Sequence, residues 1–145
     1  MLSDDQVTEL QLAVESSDIQ QLERLLQDQS ADYLTGLQLF AEHTLLMYAC
    51  EKSTPQVVES ILSKGTQPEE LEWSANNELK STLRNDRHRN EILPLMLQAI
   101  GDDLREEMIH TDWDPDGFSQ GEAVSPLEMA RSLPDQTCFD LLKDA

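Results

Sequence analysis

The sequence predicts an all-α protein made of about four stacked antiparallel helix pairs. Apolar residues recur at three- and four-residue spacing along most of the chain, which is the pattern of amphipathic helices. One stretch also matches another stretch 36 residues further on without a gap, which indicates repeated units. The 145 residues suffice for one domain with a continuous core. A short helix pair cannot bury its apolar stripe alone, and the pairs are therefore expected to stack.

The internal match defines the first two units. The segment Thr8–Ala13 aligns with Thr44–Ala49. The aligned apolar residues of the second helices are Leu22, Leu25 and Leu26 in one copy and Val58, Ile61 and Leu62 in the other. Asp18 and Pro55 each stand near the start of a second helix, where a carboxylate or a proline is favourable.

A further unit ends the chain, and a weaker one precedes it. In the last unit Ser125 is expected to cap the first helix, and Pro126 fits its first turn. The weaker stretch has enough apolar residues for another helix pair, but Pro94 interrupts its second half. We interpret it as a degenerate unit, with a plain helical insertion as the alternative, and expect a short acidic helix at 102–108. The predicted units of a single domain, 1–145, are about 5–36, 41–70, 71–109 and 110–145.

The stretch from Thr44 to Gly65 carries a family resemblance. It reads Thr-Leu-Leu-Met-Tyr-Ala at 44–49, turns near Pro55 and ends Val-Val-Glu-Ser-Ile-Leu-Ser-Lys-Gly at 57–65. This order resembles the ankyrin repeat, whose pattern opens T-P-L-H-x-A and continues V-V-x-x-L-L-x-x-G. The departures are the missing His of the opening motif and a segment, 28–42, that is longer and more apolar than a simple hairpin tip. The resemblance implies an ankyrin-like solenoid that binds a protein partner through hairpin tips and inner helices.

The resemblance also indicates where a partner would bind. It implies that the second unit projects residues from its tip and from the exposed end of its first helix, and the last unit from its tip. Tryptophans outside the helix stripes are candidate apolar anchors, because Trp is enriched in binding hot spots; the alternative is that each ring covers the end of a helix pair. The predicted partner-binding residues are Phe40, His43, Glu51, Lys52, Trp73, Trp113, Phe118 and Glu122.

The net charge of −19 limits the class of partner. Nucleic acids and anionic membranes are disfavoured, because both are bound through Lys and Arg. A basic protein partner would be attracted, although an acidic surface also serves solubility alone. The chain start lacks the cationic and apolar regions of a secretory signal, and no apolar run approaches the roughly 20 residues of a membrane span. We therefore expect a cytoplasmic protein, monomeric or weakly oligomeric, with Cys50 and Cys138 reduced and buried.

Motifs for chemistry are weak. No Gly-rich phosphate loop, nucleophile elbow or zinc-ligand spacing occurs, so the sequence predicts neither an enzyme nor a cofactor. Asp112, Asp114 and Asp116 match the first half of a calcium loop, but Ala123 stands where the bidentate Glu should be. We predict no metal site and interpret this stretch as an acidic loop, with Asp112, Asp114 and Asp116 as the candidate ligands otherwise.

Four of the ten cations lie close together: Lys80, Arg84, Arg87 and Arg89. On one helix the first three would share a face. Internal pairing with Glu78, Asp86, Glu91 or the acidic surface of a neighbouring repeat is favoured over an anchor for an acidic partner segment or a terminal carboxylate.

The leading hypothesis is therefore a protein-binding module for a basic partner, which it inhibits, sequesters or scaffolds, as an immunity protein does. The alternatives are a calcium-responsive or enzymatic domain that uses the Asp112–Asp116 loop, and a structural or oligomerisation unit.

Overall fold

The structure is a computed structural model that describes residues 1–40, 43–68, 78–110 and 125–145, except for the side chains of Phe40 and Asp103. These residues are mostly helical, as the sequence predicts, with one two-stranded sheet in addition. The elements are α1 (Asp4–Ser16), α2 (Ile19–Leu26), α3 (Ala31–Gly36), β1 (Gln38–Phe40), β2 (His43–Thr44), α4 (Leu45–Lys52), α5 (Pro55–Ser63), α6 (Glu78–Leu83), α7 (Arg89–Ala99), α8 (Asp102–His110), α9 (Pro126–Arg131) and α10 (Thr137–Lys143). Among these helices none combines the length and the apolar character needed to cross a membrane.

Short polar side chains fix where the helices begin. Thr44 Oγ1 accepts from the Met47 amide, and Ser125 Oγ accepts from the Glu128 amide, at 3.2 Å each. The expected capping of the last unit by Ser125 is confirmed, and Asp18 caps α2 in the same manner. Thr8, which aligns with Thr44, lies inside α1, because the chain already starts that helix at a Ser3–Gln6 capping box.

Consecutive helices joined by short turns pack as pairs: α1 with α2, α4 with α5, α6 with α7, and α9 with α10. The first helices of these pairs contact one another in the order α1, α4, α6, α9. The second helices contact one another in the order α2, α5, α7, α10. Each pair therefore packs on the next through both of its helices.

The apolar stripes meet in one core cluster. Leu46, Ala49, Val58 and Ile61, which the repeat pattern places inside, are buried, and Leu62 packs against the edge of the cluster. Other fully buried side chains come from the remaining pairs, among them Leu10, Leu22, Leu26, Leu79 and Ile92. Burial of this apolar area is the main stabilising contribution to the stack.

Two strands that the sequence did not predict precede α4. The strands β1 and β2 pair antiparallel, with Gln38 opposite Thr44 and Phe40 opposite His43. The Leu45 amide also donates to the Leu37 carbonyl oxygen at 3.0 Å. This pairing places His43 immediately before the start of α4.

The weak stretch contains helices α6, α7 and α8. Pro94 lies within α7 without ending it, and α8 continues two residues past the predicted 102–108. Helix α6 ends at Leu83, so Lys80, Arg84 and Arg87 do not share a helix face. Glu78 and Lys80 at the start of α6 are both fully buried.

Candidate partner-binding surface

A connected row of polar side chains crosses the first three helix pairs. The Tyr48 hydroxyl on α4 donates to the Glu15 carboxylate on α1. The Tyr48 ring meets the ring of His43 edge-on, with 6.1 Å between centroids. Next, His43 Nε2 lies 3.4 Å from Glu51 Oε2, and Arg84 Nη1 lies 3.5 Å from Glu51 Oε1. These five residues, Glu15, Tyr48, His43, Glu51 and Arg84, are called the polar row.

Local structure explains how the row is assembled. Tyr48 and Glu51 are three residues apart on α4 and therefore lie on one side of it. His43 reaches the same side from the β1–β2 hairpin, immediately before the Thr44 cap. Arg84 follows the last residue of α6, which packs against α4.

The Glu51 carboxylate is compensated within the chain. Its side chain is only 12 % exposed, and besides His43 and Arg84 it has Lys52 Nζ at 3.8 Å. Burial opposes ionisation, but the contact with His43 and the positive charges of His43, Arg84 and Lys52 outweigh it and hold the pKa of Glu51 below its usual value. Glu51 is therefore a carboxylate that faces the imidazole of His43 and the cationic side chains of Arg84 and Lys52.

Tyr48 is a proton donor throughout the neutral pH range. Its burial, together with its hydrogen bond to Glu15 and the negative charges of Glu15 and Glu51, raises the pKa of Tyr48 to about 12. The Glu15 carboxylate also faces Gln11 Nε2 at 3.5 Å. Glu15 is thus oriented by neutral donors, in contrast to Glu51.

Three of the predicted partner-binding residues lie in or beside the polar row. His43 and Glu51 belong to the polar row, and Lys52 borders it with a side chain that is 52 % exposed. The expectation of an exposed helix end holds for Lys52 but not for Glu51, because the neighbouring cations cover that carboxylate. His43 is also only 17 % exposed, because the hairpin packs it onto α4 instead of projecting it.

The other predicted partner-binding residues fall wholly or partly outside the described ranges. The Phe40 backbone pairs with His43, and its side chain lies outside the part of the chain that is described. Four more predicted residues lie outside it entirely: Trp73, Trp113, Phe118 and Glu122. Their assignment remains a prediction.

Sequence reasoning missed Glu15 and Tyr48. Internal pairing of the basic cluster was predicted, and Arg89 does contact Asp86, with 2.6 Å between Nη2 and Oδ1. Arg84 pairs with Glu51 of the preceding unit, 33 residues earlier in the chain, which agrees with the predicted pairing to a neighbouring repeat. One weak indication of the polar row was present in the sequence. Tyr48 carries a hydroxyl at the position of the repeat where the first copy has the apolar Leu12.

The thiols are buried and free, as predicted. Burial raises the pKa of Cys138 to about 11, and the pKa of Cys50 is raised further by its complete burial. The Cys138 thiol donates to Asn90 Oδ1 at 3.2 Å. Both thiols are therefore protonated at neutral pH and serve as packing groups.

Within the described ranges no group of three or more His, Cys, Asp or Glu residues is arranged to hold a metal ion. Asp112, Asp114 and Asp116 lie outside these ranges, so the calcium hypothesis stays a hypothesis. A cavity of about 540 Å³ opens between α7, α8 and α10, with Leu97, Arg105, Asp140 and Leu141 in its wall. It lies away from the polar row.

Comparisons with known protein families, with curated proteins and with solved structures give no match.

Proposed function

We propose that this protein is a protein-interaction module, an ankyrin-like solenoid that binds a basic partner through the first helices of its pairs. The order of contacts supports the solenoid: every first helix meets the next first helix, and every second helix meets the next second helix. Stacked two-helix units of this kind create an extended surface suited to holding a partner.

The polar row is the observation that carries the proposal. It connects α1, α4 and the end of α6, which are first helices of three successive pairs. Side chains held by hydrogen bonds and ion pairs across helices lose little conformational entropy when a partner binds them. The row lies mostly beneath the surface, since Tyr48 is only 3 % exposed and all of α6 is buried. It holds the exposed Glu15 of α1 in a fixed position on the side of the first helices, which the resemblance assigns to partners.

The charge balance defines the partner. With a net charge of −19, the chain attracts a basic surface and accelerates the encounter, and it repels anionic partners. Binding of this kind serves to inhibit, sequester or scaffold a basic protein in the cytoplasm. The proposal includes no catalytic step and no cofactor.

Affinity capture from native lysate at low and high salt tests the proposal. The immobilised chain is expected to retain a basic protein at low salt and to release most of it at high salt. Capture that does not depend on salt, or capture of acidic proteins only, would contradict it. Phe40→Ala and Trp113→Ala are expected to weaken capture without lowering the thermal midpoint, as measured by circular dichroism.

A further inference from the structure

The polar row contains two carboxylates that differ in their neighbours: Glu51 lies beside positively charged side chains, and Glu15, within the described ranges, does not. Glu51 has nitrogen atoms of His43, Arg84 and Lys52 at 3.4, 3.5 and 3.8 Å, and its side chain is 12 % exposed. A partner cation that approached Glu51 would have to displace these groups or meet their repulsion. Glu51 therefore holds the row together and has little attraction left for a partner.

Glu15 has no positively charged neighbour of this kind in the part of the chain that the structure describes. It is exposed on α1, and it makes no ion pair with any Lys, Arg or His of the described ranges. Its carboxylate is held in place by the Tyr48 hydroxyl and faces the Gln11 amide. The full negative charge is thus presented in a fixed orientation, which lowers the entropic cost of binding a cation.

An apolar side chain stands beside this carboxylate. Leu12 lies three residues before Glu15 on α1 and therefore neighbours it on the helix surface. Its side chain is 57 % exposed, and among the described residues the other large apolar side chain exposed in this way is Met1. A single exposed Leu is ordinary on a protein surface, but one beside an oriented, uncompensated carboxylate forms a two-part contact.

We propose that the Leu12–Glu15 patch, formed by the exposed side chains of Leu12 and Glu15 with the buried Tyr48 hydroxyl orienting the carboxylate, is the point where the partner is recognised, and that the partner presents an Arg or Lys next to an apolar side chain. The inference rests on the proposed function and specifies its site. The cation forms a charge-assisted hydrogen bond with Glu15, and the apolar group covers Leu12. A second copy of this chain is a poor occupant, because two chains of charge −19 repel each other.

Three capped peptides test the inference: one of alternating Arg and Leu, one of alternating Arg and Ser with the same charge, and one of alternating Glu and Leu. Each is titrated into the ¹⁵N-labelled full chain while amide chemical shifts are followed. The Arg-Leu peptide is expected to shift the amides of residues 8–16 and of Tyr48 most. The Glu-Leu peptide is expected to shift none of them.

Glu15→Gln is the decisive variant, because the amide oxygen can still accept from Tyr48 while the charge is lost. It is expected to weaken Arg-Leu binding about tenfold, the effect of losing one charge-assisted hydrogen bond. The matched control is Glu59→Gln, which removes an exposed carboxylate from α5 and changes the net charge by the same amount. Leu12→Ser is expected to weaken binding of the Arg-Leu peptide and to leave the Arg-Ser peptide unaffected.

Equal effects of Glu15→Gln and Glu59→Gln would overturn the inference, since binding would then follow net charge alone. Shifts of the same amides with protein concentration in the absence of peptide would also overturn it, because a second copy would then cover the patch. A partner captured from lysate but insensitive to Glu15→Gln refutes this inference and leaves the proposed function standing. Absence of salt-sensitive capture refutes the proposed function.

Discussion

Asn85 in the α6–α7 turn donates its side-chain amide to the carbonyl oxygen of Ser53 in the α4–α5 turn, with 2.8 Å between nitrogen and oxygen. The same amide nitrogen donates to the Cys50 carbonyl oxygen at 3.0 Å. Asn85 Oδ1 accepts from the amides of Arg87 and His88, at 3.2 and 3.1 Å. One buried side chain therefore shapes its own turn and joins the second helix pair to the third.

Removing this side chain should destabilise the stack. Asn85→Ala leaves the Cys50 and Ser53 carbonyls without this donor and the Arg87 and His88 amides without this acceptor in a buried region. We expect a loss of roughly 2–4 kcal/mol in the free energy of unfolding, measured by urea denaturation. The control is Asn90→Ala. Asn90 is exposed, donates to Asp135 in the α9–α10 turn and accepts only a weak hydrogen bond from the Cys138 thiol, so we expect a loss of about 1 kcal/mol or less. Equal losses for the two variants would contradict this role of Asn85.

Acid should weaken the fold partly through Glu51. Its folded-state pKa lies below the usual value, so its contribution to stability is present above about pH 4.3, the ordinary Glu value, and is lost as pH falls through the folded pKa. Between those two pH values the unfolded chain binds more protons at this residue. We expect Glu51→Gln to flatten the decrease of the urea midpoint in that acidic window.

Glu59→Gln serves as the control for the acid titration, since Glu59 is exposed on α5. It is expected to flatten the decrease of the urea midpoint less than Glu51→Gln does, because Glu59 is exposed. The role assigned to Glu51 would be wrong if both variants altered that dependence to the same extent.

Tyr48 should titrate only in strong alkali. Its pKa of about 12 lies above the ordinary value of 10.0, so the neutral form is favoured by folding. This contribution to stability is complete below about pH 10 and is lost as pH rises through 12. An ultraviolet absorbance titration should show a tyrosinate step near pH 12 that is missing in Tyr48→Phe. An absorbance step centred near pH 10 that disappears in Tyr48→Phe would contradict the buried hydrogen bond to Glu15.

Two glycines should respond to alanine in opposite ways. Gly65 has φ of +88°, and a Cβ there would lie 3.0 Å from the Cβ of Ala31. Gly65→Ala is therefore expected to cost about 1–2 kcal/mol of stability. Gly36 ends α3, and a Cβ added there would meet nothing within 4 Å, so Gly36→Ala should stabilise the protein by about 0.5 kcal/mol. Thermal melting of the two variants gives the comparison, and a stabilising Gly65→Ala would refute the close approach of Ala31.

Local features of this fold were predictable from the sequence. The helix starts at Ser125 and Asp18 depend on residues three positions away, and the periodic apolar stripes identify Leu46, Val58 and Ile61 as core. These signals are contained in single helices. They required no knowledge of how one pair packs on the next.

The polar row was not predictable in the same way. The contact of Tyr48 with Glu15 joins residues 33 positions apart, and the contact of Arg84 with Glu51 joins two different pairs. Such contacts depend on how each helix is rotated about its own axis. The spacing of apolar residues fixes this rotation only coarsely, so it does not identify which polar side chains of two helices meet. The sequence does not predict the burial of Lys80 either, because a charged residue within a basic cluster is usually exposed.

Hydrogen–deuterium exchange on the full chain, with and without the basic protein that it captures, tests the central claim most directly. We predict that bound partner slows exchange in α1 and α4, where Glu15 and Tyr48 lie, and leaves exchange in α2 and α5 unchanged. Protection confined to α2, α5 and α7 would contradict this claim, because the partner would then lie on the second helices.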